Sequence, residues 1–229
     1  SGTVVITGAK TREEIGFTFN LLYQNVLVNF FDDSDTSTSS SEYRKKLRNE
    51  TMHIDDFHSV ETLDELEKLK KKYVLLSNAP RPNFSVKKFL IKMGISENIS
   101  NKVYTSGQAS LDYLLKNFKD KKFFHLGPAR DFDLFDSFKI NKVNEIKKCA
   151  YIICTGLFDE HDQDLNYYKK ILNEEINKKM ICTNPDLVVD RGEKREYCAG
   201  SVAKIFEELG GRVEYFGKPY ANVYSQSIK

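Results

Sequence analysis

The chain has 229 residues, enough for one or two domains with a sizeable hydrophobic core. Its 35 lysine and arginine residues nearly balance 33 aspartate and glutamate residues, and a net charge of +2 does not indicate a nucleic-acid or membrane partner. No apolar stretch approaches the ~20 residues of a membrane span, and Ser1 does not open a signal peptide. We therefore expect a globular, cytoplasmic protein.

The first thirty residues predict one strand and one helix. Gly2–Ile6 is rich in β-branched residues, and Thr11 with Glu14 forms a capping box for a helix. Apolar residues then follow at helical spacing: Ile15, Phe19, Tyr23 and Val26. Residues 32–41 are acidic and serine-rich, too polar to pack in a core, so we expect a linker over residues 32–57.

From residue 58 onward, apolar strands alternate with amphipathic helices, a pattern typical of a parallel sheet. A second capping box, Thr62 with Glu65, predicts a helix that ends in the lysines near residue 72. Ser85 is expected to cap a helix that Gly94 ends and that turns four apolar residues inward: Val86, Phe89, Leu90 and Met93. Further strands are predicted at 73–76, 122–126, 150–154, 180–183 and 212–216, and further helices at 111–118, 165–176 and 198–209.

Two polar groups follow predicted strands and form the candidate site. The strand 73–76 ends in Ser77 and Asn78, and ligands of open α/β sheets bind at such carboxyl ends. Lys218 lies between a glycine and a proline after the last strand. A hydroxyl and an ammonium group that converge suit a phosphoryl group. The alternatives are a hydroxyl that caps a turn and a surface lysine.

Other polar residues are less specific. Arg81 and Arg130 either meet an anionic substrate or are solvated, and Asp159 is expected in a turn or cap. The cysteines show no CxxC pair and the histidines no ligand spacing, so we expect buried free thiols and no zinc site.

Several short motifs occur in an order that resembles the haloacid dehalogenase superfamily, in particular the subclass with a large α/β cap inserted in the catalytic domain. The motifs lie at residues 75–81, 103–107, 125–128, 154–159, 182–186, 198–200 and 217–219. They cover about three quarters of the chain. The resemblance implies an α/β fold: an incomplete three-layer Rossmann-like core over 58–104 and 209–229, with a cap over 105–208.

The resemblance also implies a chemistry. An aspartate attacks phosphorus to form an aspartyl-phosphate, a second aspartate protonates the leaving group, and Mg²⁺ neutralises the phosphoryl oxygens. Ser77 would bind the phosphoryl group and Lys218 would stabilise its charge. Asn78 would contact substrate, and Asn184 with Asp186 resembles the specificity loop of the cap.

Two family motifs have no clear copy. The first motif should precede Val60, and Asp33 with Asp35 is its one degenerate candidate; the polar linker is the alternative interpretation. The fourth motif, which completes the Mg²⁺ site, should follow Gln226, close to the last residue given, so metal ligands cannot be assigned.

Residues 1–31 resemble the last strand and helix of TATA-box-binding protein, with Val5 and Thr7 on the DNA-facing side. One strand cannot form that saddle, so we do not expect DNA binding. The leading hypothesis is a Mg²⁺-dependent phosphatase for small phosphorylated metabolites. The alternatives are a catalytically dead binding module and, third, a DNA-binding protein. We expect no membrane partner, and caps of this subclass allow a homodimer.

Overall fold

The computed structural model describes residues 4–7, 18–23, 26–27, 67–68, 70, 72–191 and 194–228. The chain forms two compact units, Ser1–Leu75 and Leu76–Lys229. The candidate first motif at Asp33 and Asp35, the polar linker and the capping box at Thr62 lie outside the described residues.

The first unit contains short strands of one sheet. Strand β1 is Val4–Thr7, β2 is Thr18–Tyr23 and β3 is Val26–Leu27. Strand β1 runs antiparallel to β2, with Val4 opposite Leu21, and β2 runs antiparallel to β3. Strand β4 is Tyr73–Ser77.

The predicted N-terminal helix is therefore wrong over Thr18–Tyr23, which is a strand. The apolar residues at helical spacing compete there with a run of β-branched and aromatic residues that favours a pleated sheet. The predicted first strand is observed as β1, whereas over Thr18–Tyr23 a strand paired with β1 replaces part of the helix on which the resemblance to TATA-box-binding protein depended.

The second unit is built on a parallel sheet with strand order β12-β9-β8-β6-β7. Strand β5 is Val103–Thr105 and follows β4 in the other sheet. The strands of the parallel sheet are β6 Phe123–Leu126, β7 Lys142–Val143, β8 Tyr151–Cys154, β9 Lys179–Cys182 and β12 Arg212–Tyr215. Each neighbouring pair is parallel, so the carboxyl ends of these strands lie at one edge.

Helices connect these strands. Their bounds are α1 Asn83–Lys92, α2 Glu97–Ser100, α3 Ser106–Asn117, α4 Leu165–Leu172, α5 Ala199–Glu208 and α6 Ala221–Ser227. Three 3-10 helices complete the connections, at Ala129–Asn141, Ile146–Lys148 and Asp159–His161. The observed α/β architecture with a parallel sheet agrees with the predicted fold class.

The core of the second unit lies between the parallel sheet and helices α4 and α5. Strand β8 is fully buried and is paired on both sides, with β6 and β9. Tyr168 of α4 and Phe206 of α5 are fully buried beside it. All four cysteines are free and buried, as predicted: Cys149, Cys154, Cys182 and Cys198.

Two details of the sequence prediction fail at α1. Ser85 lies inside the first turn and does not cap the helix, because Pro82 occupies the N-cap position. The side chains of Phe89 and Met93, predicted to face inward, are 59% and 65% exposed. Gly94 ends the helix as predicted, with a φ of 93°.

The antiparallel hairpin of β10, Val188–Arg191, and β11, Lys194–Tyr197, was not predicted. Strand β12 pairs in parallel with β9, with Arg212 opposite Lys179. The domain division itself remains a prediction. The helices of the described segments are too short or too polar to cross a lipid bilayer.

Candidate functional site

The candidate site forms where three chain segments meet after strand ends. Asn78 follows β4, the loop 184–186 follows β9, and Lys218 follows β12. The segments are far apart in the sequence, since Asn78 and Lys218 are separated by 140 residues. The structure brings together three residues that the sequence analysis assigned to the site: Asn78, Asp186 and Lys218.

Asn78 lies at the centre of this cluster and is 9% exposed. Its side-chain oxygen Oδ1 accepts a hydrogen bond from the Lys218 backbone N–H at 2.7 Å. Its Nδ2 donates to Oδ1 of Asp186 at 2.9 Å and to the Lys218 carbonyl oxygen at 3.1 Å. Residue 78 is therefore bonded to both of the other segments.

The loop 184–186 has its own internal order. Asn184 Oδ1 accepts the Asp186 backbone N–H at 3.0 Å, which is an Asx turn. The Asp186 carbonyl oxygen accepts the N–H of Gly200 in the first turn of α5 at 3.0 Å. Asn184 thus shapes the loop that presents Asp186, and the loop is attached to α5.

Gly217 permits the close approach of these segments. Its φ of +127° is a conformation that favours glycine. A Cβ at this position would lie 2.6 Å from Cδ of Pro185 and 2.8 Å from Oδ1 of Asn78. Any side chain at position 217 would therefore push Lys218 away from Asn78.

Ser77 precedes Asn78 and is half-buried. Its hydroxyl oxygen accepts the Ala79 backbone N–H at 3.2 Å, which matches the alternative in which this hydroxyl caps the turn. The hydroxyl proton is not used in that bond, so Ser77 can still donate to a ligand. Neither interpretation of Ser77 excludes the other.

Arg81 and Arg130, for which the sequence left two roles open, each form an ion pair with an aspartate. Arg81 contacts Asp133 through its NH2 nitrogen at 2.7 Å, and Ser85 also donates to Asp133. Arg130 pairs with Asp159 at 2.7 Å, with both side chains more than half exposed. Asp159 begins a 3-10 helix, in agreement with its predicted place in a turn or cap.

A second polar cluster lies at the ends of β6 and β8, and the sequence analysis missed it. The ring nitrogen Nε2 of His125 lies 2.8 Å from the Thr155 hydroxyl, and Thr155 also bonds to the Asp131 side chain. All three residues are at most 5% exposed. The sequence carried two signals for this cluster: polar residues within or directly after apolar strand runs, and the motifs at 125–128 and 154–159, which contain His125 and Thr155.

Burial perturbs both titratable groups of this cluster. Desolvation, with a smaller contribution from Lys142, lowers the pKa of His125 to about 3. Desolvation also raises the pKa of Asp131 to about 6, against the opposing effects of Arg130, Thr155 and Arg81. At neutral pH, His125 is therefore uncharged and Asp131 is ionised.

The residues of the described ranges do not supply a ligand set for Mg²⁺. In this part of the chain, no group of three or more histidine, cysteine, aspartate or glutamate side chains is placed to hold a metal ion. The described residues therefore do not fit the metal that the family resemblance implies, and no chemical step is assigned to it.

Comparisons with known proteins agree with this architecture. Residues 57–141 match the family described as haloacid dehalogenase-like hydrolase. The crystal structure of a haloacid dehalogenase-like hydrolase from Brucella suis is 30% identical to this chain, with a TM-score of 0.65. The similarity covers 73% of this chain and 62% of the Brucella chain. No curated protein matches the chain.

Two further solved structures show the same fold at lower identity. A p-nitrophenyl phosphatase from Archaeoglobus fulgidus is 17% identical, with a TM-score of 0.57, and covers 74% of this chain and 64% of its own. A possible sugar phosphatase from Cytophaga hutchinsonii is 20% identical, with a TM-score of 0.58, and covers 74% and 63%. This chain thus spans less than two thirds of each of these three proteins.

The resemblance to TATA-box-binding protein receives no support from these comparisons, and most of residues 1–31 lie outside the described part of the chain. The other resemblance is confirmed: the chain is similar to haloacid dehalogenase-like hydrolases, by sequence over residues 57–141 and by fold over about three quarters of its length.

Proposed function

We propose that this chain is a phosphatase for small phosphorylated metabolites, with its phosphoryl site beside Ser77 and Lys218. The observation that carries the proposal is the bonding of Asn78 to both Asp186 and Lys218. Those hydrogen bonds hold a lysine segment, a carboxylate loop and the end of β4 together. A hydroxyl next to an ammonium group in such a cluster suits the charge of a phosphoryl group.

Each of the named residues has a separate proposed role. Ser77 donates its hydroxyl proton to a phosphoryl oxygen, and the Lys218 ammonium group stabilises negative charge on the same group. Asp186 is held in the loop by Asn184 and faces the segment that contains Lys218. It contributes to substrate selection, because a carboxylate attracts hydroxyl and amine groups and repels additional anions.

The proposed nucleophile is Asp33, and Asp35 is the proposed general acid. They follow an apolar run and are spaced by two residues, as the family chemistry requires.

Hydrolysis of 4-nitrophenyl phosphate, measured with and without Mg²⁺, tests the proposal. Metal-dependent turnover should disappear in Asp33→Asn and fall by at least ~10²-fold in Lys218→Ala, since one preorganised charge-stabilising group has about that effect. Lys179→Ala is a matched control, because Lys179 is a partly exposed lysine that begins strand β9, at the end of the strand opposite the loop 184–186, and pairs with Glu214.

Two results would contradict the proposal. A folded chain without turnover on a panel of small phosphate esters would show that the catalytic groups are missing. Turnover that survives Asp33→Asn would show that the nucleophile is a different residue.

The second candidate is a haloacid dehalogenase-like module that binds a phosphorylated ligand without hydrolysing it. The observation that favours it is the lack of a metal-ligand group among the residues that the structure describes. Calorimetric titration with inorganic phosphate separates the two candidates, since binding without turnover supports the module and turnover supports the phosphatase.

A further inference from the structure

We infer that Asn78 is a positioning residue that fixes the Lys218 backbone and the Asp186 loop relative to each other, and not a substrate contact. This inference rests on the proposed function for its chemical meaning, since it concerns the same site. It revises the prediction from sequence, in which Asn78 contacts substrate. The contacts that carry it are all formed within the protein.

The side-chain amide of Asn78 has little capacity left for a ligand. An asparagine side chain offers two N–H donors and one carbonyl oxygen. Both donors point to protein acceptors, Oδ1 of Asp186 and the Lys218 carbonyl oxygen, at 2.9 and 3.1 Å. The oxygen already accepts the Lys218 N–H at 2.7 Å.

The orientation of this amide is fixed by chemistry. A backbone N–H can only donate and a backbone carbonyl can only accept, so Lys218 alone requires Oδ1 on one side and Nδ2 on the other. A reversed amide would place two donors against each other at the Lys218 N–H. Asn78 therefore bonds both polar backbone groups of residue 218 in a single geometry.

The packing around Asn78 adds a second constraint. Gly217 approaches both Pro185 of the loop and Oδ1 of Asn78 so closely that no Cβ fits between them. Because residue 78 is nearly buried, breaking its bonds would leave polar groups without partners, which is costly. The amide thus holds the backbone from which the Lys218 side chain extends.

The inference can be tested on the Lys218 backbone amide directly, independent of catalysis. Gly217-Lys218 is the sole Gly-Lys pair in the sequence. Labelling glycine with ¹³C at the carbonyl and lysine with ¹⁵N therefore yields one amide signal in a carbonyl-filtered NMR spectrum. That signal reports the hydrogen bond from the Lys218 N–H to Asn78.

In Asn78→Ala the acceptor is lost, so we expect the Lys218 proton signal to move upfield and to exchange faster with solvent. Asn78→Asp keeps an oxygen acceptor and should restore the signal toward its original position. Asn83→Ala is the matched control, because Asn83 accepts the N–H of Thr105 elsewhere in the same unit and should leave the signal unchanged. An unchanged signal in Asn78→Ala would overturn the inference.

A double-mutant cycle tests the link between Asp186 and residue 218. Asn78→Ala, Asp186→Ala and the double variant are compared by titration with inorganic phosphate and by chemical unfolding. We expect the double variant to be no worse than Asn78→Ala alone, since contacts in one network are not additive. Additive losses in both measurements would overturn the coupling of the loop through Asn78.

Turnover of 4-nitrophenyl phosphate separates this inference from the proposed function. If the wild-type chain is active, Asn78→Ala should lower kcat by ~10²-fold, which is about the effect of displacing a catalytic group by 1 Å. Asn78→Asp should not restore the hydrogen bond to Asp186, because a carboxylate has no N–H to donate. If the wild-type chain is inactive, the proposed phosphatase function fails, while the NMR result still decides the role of Asn78.

Discussion

Two polar clusters lie at strand ends in the second unit, and they differ in access to solvent. The cluster of Asn78, Asp186 and Lys218 is half-exposed at its two charged members. The cluster of His125, Thr155 and Asp131 is at most 5% exposed. Solvent reaches the first cluster, whereas the second connects β6, β8 and the 3-10 helix at Ala129–Asn141 inside the protein.

The comparison shows that polar residues at strand ends do not by themselves define a site. Desolvation changes the pKa of His125 and Asp131, and perturbed pKa values often accompany function. Here the same perturbation accompanies burial, since His125, Asp131 and Thr155 are almost inaccessible to solvent. Access to solvent separates a candidate binding site from an internal support.

The largest expected effect comes from breaking the buried cluster. Thr155→Val keeps the side-chain shape but removes the hydroxyl shared by His125 and Asp131. Two buried polar groups then lose a partner, so we expect a loss of roughly 3 kcal/mol in the free energy of unfolding. Urea titration followed by circular dichroism measures this loss in the free energy of unfolding.

Thr183→Val is the control for that substitution. Thr183 is also fully buried, but its hydroxyl bonds to the Cys154 carbonyl oxygen, which also accepts the Thr183 N–H. We expect a loss of only about 1 kcal/mol. Equal losses in the two variants would contradict the special role of the shared hydroxyl.

The pH dependence of stability is the next largest effect. The pKa of His125 is about 3 in the folded chain and 6.5 in the unfolded chain. As the pH falls, the unfolded chain binds a proton first, so this residue lowers stability between pH 6.5 and pH 3. Asp131 has a pKa of about 6 against 3.8, so the folded chain gains a proton first and this residue raises stability as the pH falls from 6 to 3.8.

The two contributions therefore oppose each other between about pH 6 and pH 4 in the wild-type chain. Asp131→Asn removes one of them, so its free energy of unfolding should fall by about 1.4 kcal/mol more per pH unit than that of the wild type. Urea titrations at pH 4, 5 and 6 give the two slopes. Parallel slopes would show that Asp131 does not hold a proton in the folded chain.

A smaller effect on stability is expected at the solvent-accessible cluster. Ser77→Ala removes an acceptor for the Ala79 N–H, which solvent can replace because the residue is half-buried, and should cost below about 1 kcal/mol. Phosphate affinity should nevertheless fall about tenfold, since a hydrogen bond to a charged group is lost. Calorimetry and thermal unfolding of the same variant make the two measurements.

Either measurement can contradict this expected difference between the effects on stability and on phosphate affinity. A Ser77→Ala variant that loses stability but keeps its phosphate affinity would assign the hydroxyl to the turn alone. Ser225→Ala offers a comparison, since the Ser225 hydroxyl donates to a backbone carbonyl in α6 and is exposed.

The smallest effect is expected at the surface pair of Arg130 and Asp159. Arg130→Ala should change the free energy of unfolding by less than about 0.5 kcal/mol, because exposed ion pairs contribute little. Phosphate affinity should also stay unchanged, which would place Arg130 outside the cluster of Asn78, Asp186 and Lys218. A clear loss of affinity would instead assign it to the anionic substrate.

Much of the second unit could be predicted from local patterns. Four strands after residue 120, β6, β8, β9 and β12, and helices α4 and α5 lie close to their predicted positions, because apolar runs and caps encode them directly. The strands β7, β10 and β11 were not predicted. The prediction of an N-terminal helix was wrong at Thr18–Tyr23. Helical spacing and strand propensity coincide there, and pairing with β1 makes the segment a strand. Local spacing carries no information about that pairing.

Three residues assigned to the site from the sequence, Asn78, Asp186 and Lys218, lie together in the fold, and their functional roles stay predictions. Ser77 and Lys218 stand out by residue type and by their place after apolar strands. The bonds of Asn78 join segments separated by 108 and 140 residues, so their geometry emerges only in the folded chain. For the same reason, the periodic apolar residues of α1 predict a helix but not the exposure of Phe89 and Met93.

The place of β8 in the middle of the parallel sheet has a kinetic consequence. Its four residues, Tyr151–Cys154, are fully buried and paired on both sides, and the chain passes from them directly into Thr155. Amide protons in such a strand exchange with deuterium only when the whole unit opens. Their exchange rates would therefore report how often the whole unit opens. Amides around Gly217 would exchange faster and report local opening.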